Sequence, residues 1–215
     1  MNRQTAGLLA VACFVALAGC GFITGSESLA FSASPATASD DAVSETGYEE
    51  TTVTDQVVTR NFTVADQTRQ VEVTNQLAQY ERQVDLGPLG SERAAVFVTF
   101  ASPEVSVAGQ TFNPISDMSE REILMQFESQ YEDISVGSEV DSQNVTTLGQ
   151  STELRQFEGT ATLAGSEVDV YLHATKFQHE GDYIVSVGIY PQRLDGEGEN
   201  VVTLTESLEH TGDGS

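Results

Sequence analysis

The chain has 215 residues, and its 33 acidic residues against 9 basic ones give a formal net charge of −24 at pH 7. Phosphate binding needs clustered lysine and arginine, so this balance argues against nucleic acid and anionic lipid headgroups as partners of the surface. The hydrophobic fraction of 39%, with 10 Phe and 6 Tyr, excludes a disordered chain. The composition therefore predicts a folded, acidic domain.

The charge also indicates the solvent in which the protein works. Lys176 is the only lysine in the chain. At about 1 M salt the Debye length is about 3 Å, so the self-repulsion of an acidic surface is largely screened. We therefore expect the source to be a halophile.

The N-terminal segment has the features of an export signal. Arg3 provides a positive start, and residues 6–17 are an apolar run too short to span a membrane of about 30 Å, which takes about 20 residues. The run ends in a segment that resembles the lipobox of prokaryotic lipoproteins: Leu17, Ala18, Gly19 and Cys20. The resemblance implies cleavage before Cys20 and a lipid on its sulfur. The alternative is an ordinary cleaved signal whose exit contains a cysteine.

The expected organisation follows from that segment. Residues 1–19 form the signal peptide, 20–28 the lipidated cysteine and a tether, 29–210 a single extracytoplasmic domain, and 211–215 a tail. Cys13 lies inside the signal, so the domain has no cysteine for a disulfide or a thiolate metal site. We expect the protein at the cell membrane, anchored by lipid and facing outside.

The first half of the domain is predicted to be mainly β. Residues 29–31 read as a short strand, and 37–46 as a short helix with Ser39 as a cap residue and Gly47 beyond its end. The alternating segments 51–64 and 68–84 predict a long β-hairpin, and 94–100 a third, largely apolar strand. Residues 104–117 are expected to be irregular.

The second half combines helices with a meander. Ser119 and Glu122 form a capping box at the start of a helix that should end near Tyr131. Strands are predicted over 152–163, 167–177 and 183–190, with Pro191 closing the last one. A final helix over 200–209 should place Leu204 on the sheet face that carries Val187.

These elements predict an α+β fold. An antiparallel β-sheet, made of the long N-terminal hairpin, the third strand and the C-terminal three-strand meander, would be covered by two main helices as a sandwich. The meander through residues 181–191 is similar to the PsbP-like fold, which implies a binding or accessory module. The whole chain resembles a haloarchaeal lipoprotein family of unknown function, through residues 17–20, 46–49, 73–82 and 207–210.

The candidate chemical groups are few. His173, His179 and His210 lack the tight spacing of zinc sites, and we predict no metal, no cofactor and no catalytic residue. The acidic loop 195–199 could hold Ca²⁺ or Mg²⁺ through oxygens, or be a solvated loop. Asn61 and Asn144 satisfy the N-x-[ST] rule and are possible glycosylation sites.

The expected function is a non-catalytic binding or interaction module, attached to the membrane through lipid on Cys20. A protein at the cell surface is its expected partner, and nucleic acid is not. Two alternatives from other classes remain open at this point. One is a secreted hydrolase that uses carboxylate or histidine chemistry, and the other is a small solute-binding lipoprotein.

Overall fold

The computed structural model describes residues 28–64, 67–85, 91–107, 110–113, 115–128, 134–163 and 165–212. The described chain is mostly β-sheet. Its helices are α1 (Asp40–Thr46), α2 (Glu120–Glu128) and α3 (Glu197–Glu206). Its strands are β1 (Leu29–Ser32), β2 (Thr37–Ala38), β3 (Glu49–Val64), β4 (Gln67–Asp85), β5 (Ser91–Pro103), β6 (Val105–Val107), β7 (Gln110–Phe112), β8 (Ile134–Thr147), β9 (Gln150–Leu163), β10 (Ser166–His179), β11 (Asp182–Pro191) and β12 (Leu208–Glu209).

One eight-stranded sheet organises the molecule. Its order is β1-β4-β5-β11-β10-β9-β8, and β3 pairs with β4 from the other side. The long strand β4 therefore has β3 on one edge, while its other edge pairs first with β1 and then with β5. Because β1 runs parallel to β4, the sheet is mixed. Strands β3 and β8 lie at its two edges.

The expected α+β sandwich with a helix-covered antiparallel sheet is wrong. The helices have 7, 9 and 10 residues, whereas β4 alone has 19. At about 1.5 Å per helical residue and about 3.3 Å per strand residue, the longest helix spans about a quarter of that strand. Long alternating segments thus build a fold dominated by the sheet, and the helices cover only parts of it.

The helices pack on opposite faces of the sheet. The first core, under α1 and α3, includes Tyr80, Phe97, Ile184, Val201 and Leu204. The second core, under α2, includes Leu124, Phe157, Leu172, Val185 and Val187. Since successive strand residues point to opposite faces, Ile184 and Val187 belong to different cores. The expectation that Leu204 packs on the Val187 face is therefore wrong.

The local end signals of two helices are confirmed. The Ser39 side chain accepts a hydrogen bond from the Ala42 amide, and Gly47 ends α1 with φ of 70°. At α2, the Glu122 carboxylate accepts from the Ser119 amide at 2.8 Å, and the Ser119 hydroxyl accepts from the Glu122 amide at 3.3 Å. The expected end of this helix near Tyr131 lies outside the described residues.

Several elements differ from the sequence expectations. The helix expected over 37–46 begins at Asp40, after the short strand β2. The segment expected to be irregular contains the small hairpin β6–β7. Strand β8 is not among the strands predicted from the sequence, because register shifts on both sides of Glu139 interrupt its alternation. Helix α3 begins at Glu197 and ends at Glu206, after which Leu208 pairs with Ala38 across β12 and β2.

In the part of the chain that the structure describes, no helix is both long and apolar enough to cross a membrane.

Candidate functional sites

The structure describes only some of the residues singled out in the sequence. The lipobox residues Leu17, Ala18, Gly19 and Cys20 lie outside the described ranges. Asn61 and Asn144 both have exposed side chains, on the edge strands β3 and β8 respectively.

The acidic loop 195–199 is not a set of converging ligands. Glu197 turns inward at the start of α3, where its side chain is fully buried and forms an ion pair with Arg82 of β4. Asp195 and Glu199 remain exposed. The interpretation of this segment as a solvated loop is therefore wrong for Glu197.

A buried polar cluster surrounds that ion pair under α3. The Tyr48 hydroxyl lies beside Glu197, and burial followed by the Glu197 charge raises the pKa of Tyr48. His173 Nε2 and the Tyr190 hydroxyl are 2.8 Å apart. Burial lowers the pKa of His173 to about 4 and raises the pKa of Tyr190 to about 12. Tyr48, His173, Tyr190 and Glu197 are buried, and only Arg82 is partly exposed. The cluster therefore holds α3 on the sheet.

Strand β3 has the longest run of exposed residues in the part of the sheet that the structure describes. Every residue from Thr51 to Asn61 is exposed, although the strand pairs with β4 along its length. From Thr52 to Val64 the register runs without a shift. Val53, Val57 and Val58 are exposed large hydrophobic side chains within this stretch.

Edge strands are normally protected against pairing with other chains by bulges, charges, lysine or proline. β8, at the opposite edge, has this protection. Its register shifts on both sides of Glu139, and side chains bond to its backbone: the Val136 amide donates to Glu128, and the Thr146 amide to Glu206. The register shift of β3 lies near its start, between Glu50 and Thr52. From Thr52 onward β3 pairs without a shift and contains neither proline nor lysine, so this part of its edge is open to strand addition.

A second site lies at the turn between β10 and β11. His179 ends β10, Glu180 and Gly181 form the turn, and His210 arrives from the segment after β12. The Nδ1 atoms of the two histidines are 3.0 Å apart. Ligand atoms of His179, Glu180 and His210 all lie within 4.8 Å of one another. His210 is buried, His179 half-buried and Glu180 exposed, so the group opens to solvent on one side.

Asp182 determines how His210 is oriented at this turn. Its Oδ2 atom accepts hydrogen bonds from His210 Nε2 and from the Ser34 amide, each at 3.0 Å. A carboxylate only accepts, so the proton of this bond belongs to His210 Nε2. The Nδ1 atom of a neutral His210 is then a lone-pair donor directed at His179.

Sequence reasoning missed this grouping. The three histidines lack the spacing of a zinc site in the sequence, but the structure places His173 in the core and brings His179 next to His210, 31 positions away. His210 follows β12 rather than the helix expected over residues 200–209. The one local signal is the sequence His179-Glu180-Gly181-Asp182, in which a two-residue turn and the strand residues beside it carry three polar side chains.

The fold and these sites define a class: a mostly β domain with one open sheet edge and a histidine–carboxylate cluster at a hairpin turn. Such a fold does not by itself define a function. The sequence matches the domain family described as "Domain of unknown function (DUF6517)" over residues 35–209, and the chain belongs to that family. No curated protein matches the sequence.

Proposed function

We propose that this protein is a lipid-anchored extracytoplasmic module of a halophile that binds a partner protein by strand addition along β3. The observation that carries the binding role is the regular, exposed stretch from Thr52 to Asn61. In strand addition, main-chain hydrogen bonds provide affinity, and alternate side chains provide specificity.

The anchor is supported by the sequence. The short apolar run, the positive start and the Leu17-Ala18-Gly19-Cys20 exit together match a lipobox. Cys20 lies shortly before β1, which begins at Leu29. A lipid at Cys20 would hold the β1 end of the domain close to the membrane surface.

The proposed halophile source is supported by the net charge of −24 and the single lysine. The open edge is locally different from this acidic surface. From Thr51 to Val64 the only charged residues are Asp55 and Arg60, so this segment carries no net charge, although Glu49 and Glu50 precede it. A partner strand could therefore approach β3 with less repulsion than elsewhere on the molecule.

The chemistry of β3 favours a different protein over a second copy of this chain. Two copies paired along β3 would be related by a two-fold axis perpendicular to the sheet. A rotation about that axis does not exchange the two faces of the sheet. Residues directly opposite each other share a face, so an odd-numbered residue of one copy could pair only with an odd-numbered residue of the other. Asp55 could then not face Arg60 of the other copy. A strand from a different protein can place a positive side chain beside Asp55 and a negative one beside Arg60.

The expected partner is an extended segment with apolar or β-branched residues at alternate positions. Those residues would pack beside Val53 and Val57, which share one face of β3. The partner segment should also be free of proline, since each proline removes a main-chain donor.

A crosslinking experiment tests the binding role. A photoreactive residue replaces Val57 in one variant and Val140 in the other, and both proteins are irradiated in native membranes at high salt. Val57 on β3 and Val140 on β8 have similar exposure, 58% and 48%, so Val140 is a matched control on the protected edge. We expect a discrete heterologous adduct from position 57 alone.

A charge on the edge should abolish that adduct. Val53→Lys keeps the fold because the side chain is exposed, yet it introduces an edge lysine of the kind that blocks strand pairing. Equal adducts from positions 57 and 140, an adduct with the mass of two copies, or an adduct unaffected by Val53→Lys would each contradict the proposed mode of binding.

The anchor is tested by Cys20→Ser. Without the sulfur there is no site for the lipid, so we expect the protein to leave the membrane fraction or to keep its signal segment. Stable anchoring takes two chains or a second signal, so the wild-type protein should resist salt washing. Cys13→Ser, in the same apolar region, is the control. A processed Cys20→Ser protein that stays in membranes would contradict the lipobox interpretation.

A further inference from the structure

The geometry points to a zinc site at the β10–β11 turn, with His179, Glu180 and His210 as ligands. Two imidazoles and one carboxylate are a donor set that zinc takes in proteins, with three protein ligands and one position open. This ion site is separate from the proposed role of β3 and does not depend on it.

The spacing of the donor atoms fits a small ion. Zinc–nitrogen bonds of about 2.0–2.1 Å in a tetrahedron place two ligand nitrogens about 3.3 Å apart. The two Nδ1 atoms of His179 and His210 are 3.0 Å apart, and a Glu180 oxygen lies within 4.8 Å of both. To contact one ion, the two nitrogens must move slightly apart and the Glu180 oxygen must lie at a similar distance from both.

Asp182 provides the outer support that histidine ligands of zinc usually have. Such a ligand donates its other ring N–H to a carboxylate or carbonyl, which fixes the tautomer and the ring plane. His210 does this through Nε2 to Asp182, and Asp182 is itself held by the Ser34 amide. The Nδ1 lone pair of His210 is thereby directed at the site before an ion binds.

Glu180 occupies a backbone position that its residue type disfavours. Its φ is 48°, and with Gly181 at 90° it forms the two-residue loop that joins β10 to β11. Loops with two positive φ values favour Asn-Gly or Asp-Gly, because longer side chains are strained there. A glutamate at this position places a carboxylate oxygen within 4.8 Å of both histidine nitrogens. Its Oε2 also accepts from the Gly212 amide at 2.6 Å.

The proposed ion would join parts of the chain that are far apart in sequence. His179 and Glu180 belong to the sheet, while His210 belongs to the C-terminal segment that follows β12. Binding would therefore stabilise the attachment of that segment, and the fourth position would accept water or an external ligand.

Metal titration of the full-length protein at high KCl tests the site. The protein is first treated with a chelator, then titrated with Zn²⁺ or Co²⁺ in excess Mg²⁺, which occupies sites built of carboxylates alone. We expect one equivalent to bind and to raise the unfolding midpoint. Bound Co²⁺ should show the visible bands of tetrahedral coordination without a thiolate charge-transfer band, which separates this site from Cys13 and Cys20.

Ligand variants make the assignment specific. His179→Ala and Glu180→Gln should each weaken zinc binding at least tenfold, because each removes one ligand. Both variants should fold, since neither side chain is buried in the core. Glu167→Gln is the control, because Glu167 is an exposed carboxylate at the other end of β10. Glu180→Asn should have two opposite effects: a higher unfolding midpoint without metal and weaker zinc binding.

Two results would overturn the proposal. One is that no Zn²⁺ or Co²⁺ binds to the chelator-treated, folded wild-type protein. The other is that the affinity stays within threefold of wild type in both His179→Ala and Glu180→Gln, which would place the ion elsewhere.

Discussion

His173 shows how its surroundings determine the state of a single side chain. It lies on β10, faces the first core and contacts the Tyr190 hydroxyl through Nε2. The rings of these two residues are stacked, with centroids 5.5 Å apart. Because burial disfavours the charged form, the pKa falls to about 4, and the histidine is neutral in the folded protein near neutral pH.

This pKa predicts a pH dependence of stability. An unfolded histidine has a pKa of about 6.5, so between about pH 4 and 6.5 the unfolded state binds a proton that the folded state does not. The contribution of neutral His173 to the free energy of unfolding is therefore complete above about pH 6.5 and is lost as the pH falls to about 4. The expected loss is about 3 kcal/mol.

The measurement compares wild type with His173→Gln by chemical denaturation at high salt, from pH 7 to pH 4. Glutamine can keep the bond to Tyr190 but does not titrate. The variant should be less stable at pH 7, and the difference should shrink as the pH falls. The other titrating groups are the same in both proteins, so their effect on the free energy of unfolding cancels in the difference. Parallel pH curves for the two proteins would contradict a neutral, buried His173.

At the scale of elements, the contact between α3 and β11 determines which face the helix covers. Gly188 has no side chain, and Val201 of α3 occupies the space above it: a Cβ at Gly188 would lie 2.6 Å from a Val201 methyl. Two residues away on the same face, the Ser186 and Thr205 hydroxyls are 3.4 Å apart. The helix thus fits the side of β11 that carries its smallest residues.

This close fit predicts a coupled pair of substitutions. Gly188→Ala should destabilise the protein by about 1–3 kcal/mol, because the added methyl overpacks the interface. Val201→Ala should destabilise it as well, by leaving a cavity. The double variant should be less destabilised than the sum of the two, since each change relieves the other. Chemical denaturation of the four proteins gives the coupling, and strict additivity would contradict this packing.

The whole molecule combines a strong negative charge with a large exposed surface of long strands. Thirty-three acidic and nine basic residues leave a net −24, and few ion pairs are available to offset it. Among the described residues, the Arg155 guanidinium forms ion pairs with Glu120 at 3.4 Å, Glu139 at 3.1 Å and Glu153 at 2.5 Å. Such partly exposed pairs contribute little, so the repulsion must be reduced by salt.

We therefore expect the stability of the whole domain to rise with salt. Unfolding midpoints measured at about 0.1 M and about 2 M KCl should differ clearly, because screening weakens repulsion in the compact state more than in the expanded one. Sucrose at matched osmolality is the control for effects that do not involve charge. A midpoint that does not change with KCl would contradict adaptation to high salt.

Sequence reasoning could predict the features that depend on neighbouring residues. Alternation gave the long hairpin of β3 and β4, and short-range capping gave Ser39, Gly47 and the Ser119–Glu122 box. These features rest on interactions within a few residues, so their signals are continuous in the sequence. The N-terminal anchor and the halophile source also rest on the sequence alone, and both remain predictions.

Only the tertiary structure decided how the elements combine. Strand alternation alone could not show that β1 runs parallel to β4, that β8 forms the protected edge, or that α2 and α3 lie on opposite faces. The same holds for the pairing of Arg82 with Glu197 and of His179 with His210. Each of these depends on which strands become neighbours, and that choice follows from the packing of the whole sheet rather than from any local segment.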